Sequence, residues 1–250
     1  VGFIRELAGL LGGAVGGAML RTRLPGHHLD PDTKAIVKSG VGLLSTLAAL
    51  VLGLVIAAAK NSFDTQASEI QNAAAKLVQL NDVLRQLGPD GDALRQQIAG
   101  LAVRRVDDIW TAGEGERGLQ AVGKRAAPVL ATYHDALHRL AAANEAQRPL
   151  LNKAAQLADD LMEIRSLAIA QTGSAIMGPL LTLLVFWFSA IAAGLNLFAP
   201  RNGTIWAVNL VFASSVAGAI VLILEMDQPF GGLIAISDAP MRAALAQMAR

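Results

Sequence analysis

Residues 176–199 read IMGPLLTLLVFWFSAIAAGLNLFA and residues 205–224 read IWAVNLVFASSVAGAIVLIL, and neither run holds a charged side chain. A bilayer core of about 30 Å takes about 20 helical residues to cross. Both runs reach that length. Each is apolar on every side rather than along one stripe, so neither is the half-wetted helix of a soluble domain. Only Pro200-Arg201-Asn202 and two further residues separate them, and so short a connection makes antiparallel neighbours. This hairpin decides the fold class: an all-α membrane protein.

The rest of the composition agrees. The 250 residues are 53% hydrophobic and 16% charged, where soluble domains run near a quarter charged. Most of the charge falls between Lys60 and Arg165. A net charge of +1 gives no field to attract nucleic acid, so the expected surroundings are a lipid bilayer and no nucleic acid. Zero cysteines exclude disulfides and thiolate metal sites.

Working back from the hairpin, two more apolar runs precede it. Leu7–Leu20 lies between Arg5-Glu6 and Arg21; it is short for a crossing, and completing the span needs Val1–Ile4 and residues ahead of them. Gly9, Gly13 and Gly17 recur every four residues, a small ridge that lets another helix approach closely in lipid. In the loop that follows, Asp30 is a natural N-cap with Pro31 at the first helical position. The next run, Ser39–Ala59, carries small or weakly polar residues at Ser45, Ala49, Gly53 and Ala57, with Leu and Val opposite. Two readings of that edge stand side by side. It is either a close-packed helix seam, or a pore-lining face on which Ser45 and Thr46 offer hydroxyls.

From Lys60 the pattern turns amphipathic. Ile70, Ala73, Leu77, Leu80, Leu84 and Leu87 step by three and four, as do Leu94, Ile98, Leu101, Val106 and Ile109, and again Leu150, Ala154, Leu157, Leu161 and Ile164. Gly88-Pro-Asp-Gly91 separates the first two sets, and another helix is expected over Leu119–Asn144. The fourth is expected to run on toward the hairpin, with a bend at Gly173 or Gly178-Pro179. The organisation read from this is residues 1–59 as two crossing helices and a basic loop, 60–172 as an antiparallel helical bundle, 173–225 as the hairpin and 226–250 as a tail. Four transmembrane helices thus flank an insert between spans two and three. Short-loop Lys and Arg place both short loops in the cytoplasm. The insert, with 13 Lys and Arg against 14 Asp and Glu, then falls outside.

Few residues invite chemistry. Glu225 and Asp227 close the last span; they are either solvated end residues, or they ring a pore mouth with Lys60 or pair with Arg5 or Lys60. Asn196, Asn209, Ser214 and Ser215 are expected to hydrogen-bond between helices. Arg5 and Glu6 are adjacent in sequence and share no helix face, so within a bilayer each needs its own partner. His27-His28 beside Asp30 and Asp32, and His134 with His138, have spacings that can hold metal. Asp30 already has its capping role, and no acid completes the second set, so no metal and no cofactor is assigned. No nucleophile elbow, phosphate loop or zincin pair is present, and no enzymatic activity is expected.

Several stretches resemble one family. Gln171-Thr-Gly-Ser-Ala175, Leu184-Val-Phe-Trp-Phe188, Leu197-Phe-Ala-Pro-Arg-Asn202 and Leu224-Glu-Met-Asp-Gln-Pro-Phe-Gly231 are similar to the bestrophin-like family of bacterial membrane proteins. So are Leu24-Pro-Gly-His-His-Leu29 and Leu47-Ala-Ala-Leu-Val-Leu-Gly-Leu54. A more distant similarity, to the bestrophin anion channels, rests on the span order and on Pro229-Phe230-Gly231. It implies a pentamer, a second span lining the pore and an insert on the cytosolic side, against the loop charges. The acidic run and pore aromatics of bestrophins have no counterpart: Gly232-Leu-Ile-Ala-Ile-Ser follows the turn, and Ser39–Ala59 contains no Phe, Tyr or Trp. The resemblance therefore implies a homo-oligomeric channel of the bacterial inner membrane for an ion, with the distant likeness to bestrophins pointing to an anion. Ser45, Thr46, Ala49, Gly53 and Ala57 would line it, and the insert would drive assembly. A non-conducting scaffold presenting the bundle to a partner is the alternative.

Overall fold

In the computed structural model, the described residues are 2–23, 25, 30–111, 145–171, 177–200, 202–227 and 229–249, and all regular structure among them is helical. In chain order the helices are α1 (Gly2–Arg23), α2 (Pro31–Gln86), α3 (Pro89–Thr111), α4 (Arg148–Gln171), α5 (Met177–Leu197), α6 (Gly203–Met226) and α7 (Ala239–Met248), with one 3-10 turn, Glu145–Gln147, before α4. The helix expected over 119–144, with His134 and His138, lies outside the described residues, as do His27 and His28.

Three of these helices are long and apolar enough to cross a bilayer: α2, α5 from Gly178 to Leu197, and α6. The chain is in this sense a membrane protein.

The chain forms two compact units. One comprises Val1–Asn61 and Ser174–Leu224, the other Ser62–Gly173 and Glu225–Arg250. The C-terminal tail therefore groups with the segment after Asn61.

In the first unit α5 is the hub. Its small residues meet the glycine ridge of α1 in register, where a Cβ on Gly9 would lie 3.9 Å from Val185 Cγ1 and one on Gly13 would lie 2.6 Å from the Ser189 carbonyl oxygen. A Cβ on Gly17 would lie 2.7 Å from Ala193 Cα. Steps of four on both helices, rising together, mean that α1 and α5 run parallel with backbones in contact, the close approach glycines permit in lipid. On another side Phe188 meets Phe212 of α6 edge-on, ring centroids 6.1 Å apart. Asn209, Ala213, Val216, Ala217, Ile220 and Ile223 form the buried stripe of α6. Gly194 lies under Val41 of α2, with no room for a side chain of its own. Gly178 and Pro179 sit in the first turn of α5, where proline removes no helical hydrogen bond, and Gly173, the other position expected at a bend, lies outside the described residues.

The second unit is held by the amphipathic patterns read from the sequence. Leu80 and Leu84 of α2, Leu87 in the turn after it, Leu94 near the start of α3 and Ala154, Leu157 and Ala158 of α4 make one core, flanked by Val83, Ile98, Leu150, Leu151 and Leu161. Burying a leucine of this kind contributes about 1.5–3 kcal/mol. Lys76 Nζ reaches Asp160 Oδ2 at 2.6 Å, tying α2 to α4. α2 and α3 part at Gly88, whose φ of +76° is open to glycine at little cost.

Candidate functional site

α2 begins as its sequence requires. Asp30 Oδ1 accepts from the Thr33 N–H at 2.8 Å, and its carbonyl from Lys34 N at 3.0 Å, with Pro31 at the first position. The side chains of the apolar part then sort into three sectors by helical spacing. Ala48, Val55 and Ala59 are buried, on the side where Val41 covers Gly194. The second sector is the small-residue edge. Thr46, Ala49, Gly53 and Ala57 are exposed and Ser45 is half-buried, and a Cβ built on Gly53 meets nothing within 4 Å. The third sector is leucine: Leu43, Leu47, Leu50 and Leu54 are between 54% and 70% exposed. Among the described residues the small edge is thus largely uncovered. The two hydroxyls on it donate back to their own helix, Ser45 to the Val41 carbonyl at 2.7 Å and Thr46 to that of Gly42 at 3.1 Å.

The proposed mouth residues divide between the units. Lys60 is exposed near the end of the first unit, while Glu225 and Asp227 belong to the second. Glu225 is engaged rather than merely solvated: its Oε2 accepts from Leu233 N at 2.5 Å. Gly232, with φ +91°, packs so closely on that carboxylate that a Cβ would overlap it. The turn Pro229-Phe230-Gly231 is wound tight behind it. Pro229 and Phe230 are buried, the Pro229 carbonyl accepts from Ile236 N at 2.7 Å, and Phe230 meets Trp110 of α3 edge-on at 5.5 Å. Trp110 Nε1 in turn donates to the Ile236 carbonyl at 2.8 Å. Asp227 is partly buried beside this turn, and desolvation pushes its carboxyl above the ordinary range. Arg242 of α7 reaches Asp107 of α3 at 3.5 Å, and Arg95 Nη1 of α3 donates to the Met248 carbonyl at 3.3 Å, so the tail is tied to α3 along its length.

Of the polar residues expected to link helices, Asn196 and Asn209 do so in full. Asn196 Nδ2 donates to Asn209 Oδ1 at 3.0 Å and Asn209 Nδ2 to Asn196 Oδ1 at 2.7 Å, both amides buried. Ser215 does not: it donates to Val211 of its own helix at 2.8 Å, the cheapest partner for a hydroxyl in an apolar helix. Sequence reasoning missed the surface that receives α1, because Ser189 and Ala193, though four apart, lie within an unbroken apolar run. It also missed Trp110 and Gly232, for which local sequence carries no signal. Among the described residues no three His, Cys, Asp or Glu side chains gather where a metal would bind.

The family model of the Bestrophin-like domain matches residues 8–241. The chain belongs to that family. No curated protein and no solved structure matches it. The match takes in α2 through α6 and the turn after it, so the bestrophin-like region includes both units.

Proposed function

We propose that this bestrophin-like protein is a non-enzymatic ion channel of the bacterial cytoplasmic membrane, assembled from several copies around a pathway lined by the α2 edge Ser45–Ala57. The observation that carries the reading is that this edge is uncovered within its own chain. Small and weakly polar residues gain little from facing lipid, whereas they allow copies to approach one another and leave room on an axis. Four crossing helices, α1, α2, α5 and α6, fit the parallel register of α1 on α5: an insert that leaves and returns on one side of the bilayer requires spans one and three to run the same way. The bestrophin likeness supplies five copies and an anion as the starting assumptions, with the helical insert an antiparallel bundle that drives assembly.

Liposomes containing the purified oligomer test this directly. Ion flux above that of empty vesicles, with chloride the first ion tried, is the expected result; an intact oligomer that passes no ion removes the channel reading. The second reading, a non-conducting scaffold, draws on one observation. Both hydroxyls of the edge are spent on their own backbone and Ser39–Ala59 has no charge, so a pathway here would select by width and desolvation rather than by a charged ring.

A further inference from the structure

At one end of the first unit, where α1 and α5 stop and α6 begins, lies a cleft of about 300 Å³. Ala18 of α1, Asn196 of α5, Ala199 and Pro200 of the connection, and Ile205 and Trp206 of α6 line it. Arg21, one turn beyond Ala18, reaches its wall and donates from Nη1 to the Ala199 carbonyl. A guanidinium carries five N–H donors in a fixed fork that matches phosphate, and this contact uses one of them.

The charge at this end is one-sided. The flanking charged residues in sequence are Arg21, Arg23 and Arg201, and residues 176–224 contain no acid. The next acids along the chain are Asp30 and Asp32, and the Asp30 carboxylate already caps α2. The start of α6 is not the attraction, because the Asn202 side chain accepts from Ile205 N at 3.1 Å. Beyond the cleft an apolar ridge descends α6: Trp206 is 51% exposed and Leu210, one turn on, 53%. An indole at the end of a span sits at headgroup depth. A phosphate-matching cation, an interfacial indole and an apolar ridge leading away describe a phospholipid better than a free anion, which has no use for the ridge.

We infer that this cleft takes the headgroup of an anionic phospholipid, with Arg21 on its phosphate, Trp206 against its glycerol region and an acyl chain along Leu210. The inference rests on the reading of α5 and α6 as crossing helices. The full chain in nanodiscs, with Trp110→Phe and Trp187→Phe leaving Trp206 as the only tryptophan, reports it through quenching by brominated lipids. Brominated phosphatidylglycerol is expected to quench Trp206 at about one-fifth the mole fraction needed for brominated phosphatidylcholine, the worth of one interfacial arginine. Arg21→Gln should abolish that preference, Arg21→Lys keep part of it and Arg23→Gln leave it intact. Equal loss in the Arg21 and Arg23 variants would mean diffuse surface charge, and erasure of the preference by inorganic phosphate would mean a free anion; either overturns the site. Should the reporter variant not fold, native mass spectrometry of the unsubstituted chain and of Arg21→Gln decides it, and equal phosphatidylglycerol retention by the two overturns it. A chain that never enters nanodiscs sinks the bilayer reading itself, a failure distinct from loss of lipid preference.

Discussion

Two buried amides in the apolar unit satisfy each other: Asn196 and Asn209 exchange hydrogen bonds in both directions. Asn196 Nδ2 also donates to the Ala192 carbonyl at 2.7 Å, so removing Asn209 leaves the Asn196 carbonyl oxygen without its partner, and removing both leaves no amide behind. Asn209→Leu is therefore expected to destabilise the detergent-solubilised protein by about 0.5–1.5 kcal/mol, and the double replacement Asn196→Leu/Asn209→Leu by less than the sum of the single ones. A thermodynamic cycle of unfolding midpoints checks this. Asp227 presents the opposite case, a carboxylate that burial penalises. Its proton is held more tightly folded than unfolded, so above the ordinary value of 3.8 stability falls as pH rises through the raised value and stays lowered beyond it. Asp227→Asn should raise the melting temperature at neutral pH and leave it unchanged below 3.8. A melting-temperature profile against pH for the two proteins reads the difference, and parallel curves would contradict it.

Helix by helix, the distinction between glycines is sharp. Gly13 and Gly17 face the α5 backbone, whereas a Cβ on Gly12 or Gly16 meets nothing within 4 Å. Gly13→Ala should loosen the α1–α5 seam by about 1–3 kcal/mol, the cost of overpacking against backbone that cannot yield. Gly16→Ala should be neutral or slightly stabilising, since alanine restricts the unfolded chain. Hydrogen exchange over residues 9–23 in the two variants separates them. The sequence showed the ridge through its spacing of four. It did not show which helix would receive it, because Ser189 and Ala193 look like ordinary members of an apolar run.

For the whole molecule, the uncovered α2 edge sets the decisive experiment. Space around Gly53 is open within the chain, so Gly53→Phe should fold, and in a still-assembled channel it should cut ion flux by an order of magnitude or more. In a scaffold the same change would disturb assembly or do nothing, with no flux to lose. The apolar runs of α2, α5 and α6, the cap at Asp30 and the leucine faces of α2, α3 and α4 were legible in the sequence, since each depends on a local period or a local hydrogen bond. The family likeness was legible too, carried by short runs such as Leu224–Gly231. Other features came only with the fold, namely the parallel pairing of α1 with α5, the Glu225 carboxylate closed over by Gly232 and Leu233, and the docking of Trp110 on Phe230. Periodicity states which side of a helix must be covered, but not by what; contacts between residues far apart in the chain are chosen by shape when all the helices pack at once.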